Sequence, residues 1–287
     1  MQTESKSPLE HYKKALKRGK KTLKARTRQG LNPYLPSLDE VAGVDPASLG
    51  QRSLGLYDVP ITLVCGTKAH GRRHSFAADF MPLLEPDTEF AAKWVRLFGQ
   101  LEEEGLRDPL ECYEHRGLLY AAEGNKRMSV MRYNGAVTVP AQVTRLVIPL
   151  SDGADDAWYR DFLASFEKTG LYQVRFARPG QFPKLQAALG VETDHVWTDE
   201  QRRGFTAGFT RFKRAYDRSV PRKGGFPTPM DALLVWLLYH PFAQLRDMTD
   251  ERLLRSVREL LVGLGVVQDT EERRARAAGR EGGAEGS

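Results

Sequence analysis

The chain has 287 residues, 41% hydrophobic and 28% charged, the balance of an ordinary globular protein with one or two domains. No apolar run approaches the roughly 20 residues of a membrane-spanning helix. The first residues, MQTESKSPLEHYKK, lack the apolar core of a secretory signal, so a cytoplasmic location is expected. Net charge is +6, but residues 11–28 carry nine Lys/Arg and no acid, and +9 there leaves the remainder at −3. The basic character therefore belongs to one segment, and any nucleic-acid reading is confined to it.

That segment opens the chain. Leu9, Tyr12, Leu16 and Leu23 are spaced for a helix, interrupted by Gly19. Three roles are open to it. It docks on the body through Tyr12 and Leu16, it binds DNA or RNA phosphates through Lys13, Lys14, Lys17, Arg18, Lys20, Lys21 and Lys24, or it lies on a membrane surface. Asn32-Pro33-Tyr34-Leu35-Pro36 follows as a rigid connector, with Tyr34 and Leu35 expected to pack on the body.

Residues 54–65, LGLYDVPITLVC, read as a strand pair or one long strand, with Pro60 at an edge or bulge. Residues 66–75, GTKAHGRRHS, form a polar loop holding Lys68, His70, Arg72, Arg73 and His74. The two histidines have no carboxylate or Cys at ligand spacing, so no metal site is expected. Phe90, Trp94, Leu97, Phe98 and Leu101 make a helical stripe read as core, ended by Gly105. Leu110–Tyr113 is a strand, and His115-Arg116-Gly117 a hairpin-like turn. Cys65 and Cys112 match no disulfide or metal spacing and are expected as free, buried thiols.

Residues 117–149 carry the densest pattern: GLLYAAEGNKRMSVMRYNGAVTVPAQVTRLVIP. Leu118–Ala122 reads as a buried strand. Gly124 supplies the positive φ of a tight turn. Lys126–Tyr133 is a short helix stopped at Asn134-Gly135, and Val137–Ile148 is a second strand. Such a turn places backbone N–H groups and two cations at a helix N-terminus, a natural phosphate site.

EGNKRMSVMRYNGAVTVPAQV resembles the second signature box of the ParB/sulfiredoxin-like superfamily. The ordered set Gly105, Pro109, Gly124, Arg127, Gly135 and Pro140 carries the likeness, which spans residues 54–149. It implies an α+β fold, a mixed sheet with helices, and a nucleotide, ATP or CTP with Mg²⁺ as a companion, held by Gly124, Asn125, Lys126 and Arg127. By the same resemblance Lys68, Arg72 and Arg73 face that turn, and Glu123 positions a metal or accepts a proton. Glu123 equally pairs with Arg127 or Lys126 as a stiffener. Sulfinic-acid reductase chemistry is not expected, because the inner turn positions are Asn125 and Lys126 rather than Cys.

Three functions stay open at this stage: a nucleotide-binding molecule, a DNA-associated regulator or partition-like protein, and an interaction module that retains the fold. No helix-turn-helix pattern stands out in 157–264. The expected organisation is a basic arm and Pro-rich connector over 1–50, the ParB-like domain over 51–150, a helical region over 151–267 and a disordered tail over 268–287. The linker SDGADD marks the main boundary. Helices are expected at 157–166, 180–189, 198–216, 230–239 and 249–264, the fourth apolar all round and therefore buried. Arg202, Arg203, Arg211, Lys213, Arg214, Arg218, Arg222 and Lys223 form a second basic set.

Overall fold

A computed structural model describes residues 7–43, 45–68, 70–220 and 227–267; for Arg72 it describes the backbone alone. The expected tail at 268–287, Arg222 and Lys223 lie outside the described residues. The chain divides into two compact units, residues 1–151 and 152–287.

The first unit is α+β. Helix α1 (Pro8–Arg28) starts at Ser7, whose hydroxyl accepts from the Glu10 amide, and has Pro8 at its first position, as helix starts favour. Tyr12, Ala15 and Leu16 are buried. The basic segment is thus not an appended arm. Its apolar face packs on α3 (Glu89–Glu103), in a cluster with Trp94, Phe98 and Met81. Gly19 does not interrupt α1. A Cβ there would stand 2.3 Å from the Pro82 carbonyl oxygen, so glycine is what lets the helix lie this close.

A short turn of helix, α2 (Leu38–Val41), precedes the sheet. Strands β1 (Gly50–Pro60), β2 (Val64–Thr67), β3 (Leu110–His115), β4 (Leu118–Glu123) and β5 (Thr138–Val147) are ordered β1-β5-β3-β4-β2. The pairs β1/β5 and β3/β4 are antiparallel, and β3/β5 and β2/β4 are parallel. Pro60 ends the edge strand β1, where its missing N–H costs no ladder bond. The β3–β4 turn places Arg116 and Gly117 both at positive φ, which a two-residue hairpin turn of this hand requires.

Alternation along β4 sends Tyr120 to one sheet face and Leu119 and Ala121 to the other. Leu38 and Leu146 cover Tyr120. Helix α4 (Asn125–Tyr133) follows β4 directly and is pinned to α3 by the Trp94 indole N–H, which donates to Ser129 Oγ at 2.9 Å in a buried setting. Cys112 is buried and free. Cys65 is likewise in no disulfide but is only half-buried, because β2 is the outer strand at this side of the sheet.

The second unit is helical among its described residues: α5 (Ala154–Thr169), α6 (Phe182–Ala188), α7 (Asp199–Ser219), α8 (Pro229–Trp236), α9 (Gln244–Asp247) and α10 (Asp250–Gly263). Thr198 and Thr228 open α7 and α8 with reciprocal caps involving Gln201 and Asp231. Its core joins Phe205, Phe209, Phe212, Leu233, Trp236, Leu253 and Val257. The helix expected over 230–239 stops at Trp236, and Leu238 and Tyr239 are 72% and 75% exposed. Its apolar run therefore outlasts its burial: the chain leaves the helix before those two side chains reach the core.

Candidate functional site

Gly124 sits between β4 and α4 with φ 86° and ψ 15°. This left-handed conformation costs an L-residue with a side chain about 1–2 kcal/mol. As a glycine it gives α4 no side-chain cap, so the first-turn amides face outward without one. A Cβ at Gly124 would also stand 2.5 Å from Leu110 Cδ2.

The turn forms one wall of a cleft of about 300 Å³, lined by Gly124, Asn125, Lys126 and Arg127 opposite Ser75, Phe76, Phe90 and Leu97. That is the lower end of small-molecule pockets, roughly 300–1,000 Å³. One wall is a helix N-terminus with two cations, and the other is largely aromatic and aliphatic. The Lys126 ammonium lies 4.9 Å above the Phe90 ring. Beyond it, Lys93 pairs with Glu89 at 2.5 Å. Lys93, with a smaller contribution from Lys126, holds the Glu89 carboxyl below its ordinary range.

Asn125 is 5% exposed. Its Nδ2 donates to Thr67 Oγ1 at 3.2 Å, and Thr67 Oγ1 in turn donates to the Ala121 carbonyl at 3.2 Å. With Thr67 committed in this way, Asn125 Oδ1 is buried with no partner. An unmet acceptor in a buried side chain is costly, about 1–3 kcal/mol.

Arg127 divides its fork. Nη1 donates to the carbonyls of Asp108 and Pro109 at 2.8 and 2.7 Å, tying the approach to β3 onto α4. Nε and Nη2 make no hydrogen bond among the described residues, so one planar edge remains for an anion.

The rest of the expected constellation is placed elsewhere. Lys68 donates to the Tyr113 hydroxyl at 3.3 Å, its ammonium 4.4 Å from that ring's centre. Arg73 pairs with Glu40 and approaches His70 Nδ1 at 3.3 Å. Neither lines the cleft, because nearer partners hold both cations. The side chain of Arg72 is outside the described residues. The loop instead contributes Ser75 and Phe76 to the cleft. Glu123 is exposed at the end of β4, opposite Glu111 in the ladder. It does not line the cleft, and neither Arg127 contact involves it.

Sequence reasoning missed the apolar wall. Phe90 and Leu97 belong to the stripe read as core, but they sit at its margin and are only half-buried. A signal existed: Phe90 falls in the first turn of its helix, where a stripe reaches past the element it packs against. Among the described residues, no group of three or more His, Cys, Asp or Glu is placed to hold a metal ion, and no helix is long and apolar enough to cross a membrane.

The second basic set is largely consumed internally. Arg211 donates to the carbonyls of Leu245, Arg246 and Met248 and pairs with Asp250. Lys213 pairs with Asp217, and Arg202 with Asp199. Arg203, Arg214 and Arg218 remain exposed. No family model, curated protein or solved structure matches this chain, so the site is read from its own geometry.

Proposed function

We propose that this is a ParB/sulfiredoxin-like protein whose first unit binds a nucleotide, ATP or CTP, by its phosphates in the cleft at Gly124–Arg127. The observation that carries the reading is the turn: a left-handed glycine opening α4 without a side-chain cap, with Lys126 and the free edge of Arg127 beside it. Helix N-termini attract phosphate because unpaired N–H groups and the helix dipole act together. The Phe76/Phe90 wall is apolar and suits a base or ribose.

The residues fit the phosphate better than they fit a protein-bound metal. The cleft lining includes no carboxylate, so a Mg²⁺ ion would be carried by the nucleotide's own phosphates. Whether turnover follows depends on a base that the lining does not supply, and the reading is therefore one of binding.

Isothermal titration with ATP, CTP and inorganic triphosphate in Mg²⁺ tests it. Wild type is expected to give heat with the nucleotides at or below millimolar concentration. Arg127→Ala is expected to lose about 1.5–3 kcal/mol of binding, the scale of hydrogen bonds to charged groups. A thermal melt of the same variant separates lost binding from loosened structure. No heat from wild type at millimolar nucleotide overturns the reading.

A further inference from the structure

We propose that the exposed face of α1 is a docking surface for the sugar–phosphate backbone of duplex nucleic acid. This rests on α1 alone and not on the cleft.

Lys13, Lys17, Lys21, Lys24 and Arg28 are all exposed. Their spacings of four, four, three and four put them on one helix face. None of them makes an ion pair or a hydrogen bond among the described residues. The stripe runs about 22 Å at 1.5 Å per residue. The one acid of α1, Glu10, lies in its first turn.

Three other cations of the helix have a different job. Arg18 pairs with Asp79 at 3.5 Å, Lys20 with Glu85 at 2.5 Å, and Arg26 Nε donates to the Asn32 carbonyl at 2.6 Å. Together with the Tyr12 hydroxyl, which donates to the Leu84 carbonyl at 2.7 Å, they fasten α1 to the first unit. The stripe is therefore presented on a rigid support and bears no load in the fold.

Three observations choose the partner. First, the apolar face of α1 is buried against α3, and Leu9 is its one exposed large apolar residue. An interfacial membrane helix needs its apolar face free to enter the lipid, so a bilayer is disfavoured. Second, the stripe has no aromatic side chain. Proteins that hold single strands stack bases on aromatic rings, so a duplex is favoured over a single strand. Third, lysines without planar recognition or bidentate partners read charge and not sequence, which matches a regular phosphate backbone.

The test is fluorescence anisotropy of the full chain with labelled 30-base-pair duplex DNA and duplex RNA, from 50 to 200 mM salt. Wild type is expected to bind, with a log–log salt slope of about −0.9 for each phosphate contacted. Replacing Lys13, Lys17, Lys21 and Lys24 together by Gln should weaken binding at least tenfold at 50 mM salt. The slope should become shallower by about 3–4, one increment per lost contact. The triple replacement of Arg203, Arg214 and Arg218 by Gln should leave both quantities unchanged. Circular dichroism checks that the quadruple variant retains its helix, which it should because every replaced side chain is exposed. Absence of duplex binding by wild type at 50 mM salt, an unchanged slope in the quadruple variant, or binding to anionic vesicles in preference to duplex would each overturn the proposal. Nucleotide titration heats should be the same in wild type and the quadruple variant, so failure here and failure at the cleft are distinguishable.

Discussion

The Asn125 side-chain amide donates to Thr67 Oγ1 at 3.2 Å, joining the first residue of α4 to the last of β2. These residues are 58 positions apart in the chain. The contact exists because β2 and β4 run parallel and adjacent, which brings the end of one beside the turn that follows the other. It orients the Asn125 carboxamide and leaves Oδ1 unpaired.

Asn125→Asp follows directly from this arrangement. The replacement has the same shape, and a carboxylate at a helix N-terminus is favourable to the helix by about 0.3–1 kcal/mol. It also adds a negative charge where the ligand's phosphates are proposed to sit. Asn125 is buried and its amide donates to Thr67 Oγ1, whose own proton goes to the Ala121 carbonyl. The carboxylate therefore also loses that hydrogen bond, and the melting temperature should fall. Nucleotide affinity, titrated below the melt, should fall at least tenfold. Unaltered affinity measured by titration would place the phosphates elsewhere.

Gly124→Ala combines two costs. The left-handed backbone contributes about 1–2 kcal/mol. The added methyl would stand 2.5 Å from Leu110 Cδ2, so this fully buried side chain must shift within a packed core. A destabilisation of about 2–4 kcal/mol in urea melts is expected, since overpacking adds to strain. A loss below about 0.5 kcal/mol would mean that the turn relaxes to a conformation any residue adopts.

At Gly19 two effects oppose each other. Alanine in mid-helix is favoured over glycine by about 0.8–1.0 kcal/mol. Its Cβ would lie 2.3 Å from the Pro82 backbone oxygen, which no rotamer change can move. Overpacking of this kind costs about 1–3 kcal/mol, so Gly19→Ala should lower the urea midpoint. A higher midpoint would show that α1 is free to shift off the 81–82 segment.

Ser129→Ala leaves the Trp94 indole N–H without its acceptor in a fully buried position. The expected cost is about 1–3 kcal/mol. Near-ultraviolet circular dichroism should report the change at Trp94. A stability loss with no tryptophan signal would assign the cost to packing at α4 instead.

His115 provides a pH signature. Burial, with Arg116 adding, holds it below its ordinary value of 6.5, while Glu114 opposes. A base whose folded pKa is depressed contributes stability that is complete above its unfolded pKa. That contribution is lost as pH falls below about 6.5 toward the folded value. The melting temperature should therefore fall between pH 7 and pH 5, and fall less in His115→Gln. Equal slopes in the two proteins would remove His115 as the cause.

The local grammar of the site was legible in the residues alone. Strand, left-handed glycine, short helix and Asn134-Gly135 stop all follow from propensity and backbone sterics, which act within a few residues, and α4 occupies Asn125–Tyr133 with Gly135 at φ 81°. The stripe Phe90–Leu101 showed a helix for the same reason. What that periodicity does not carry is which of its members meets solvent: Trp94 and Phe98 are buried, whereas Phe90 and Leu97 reach a cleft. The cations divide in the same way. Composition shows that residues 11–28 are basic. Only the fold brings Asp79 and Glu85 to Arg18 and Lys20 and leaves Lys13, Lys17, Lys21 and Lys24 exposed. Lys68 and Arg73, close to the turn by resemblance, are held by Tyr113 and Glu40. Charge and propensity belong to a residue wherever it stands, whereas a partner is set by chain segments that meet only after folding.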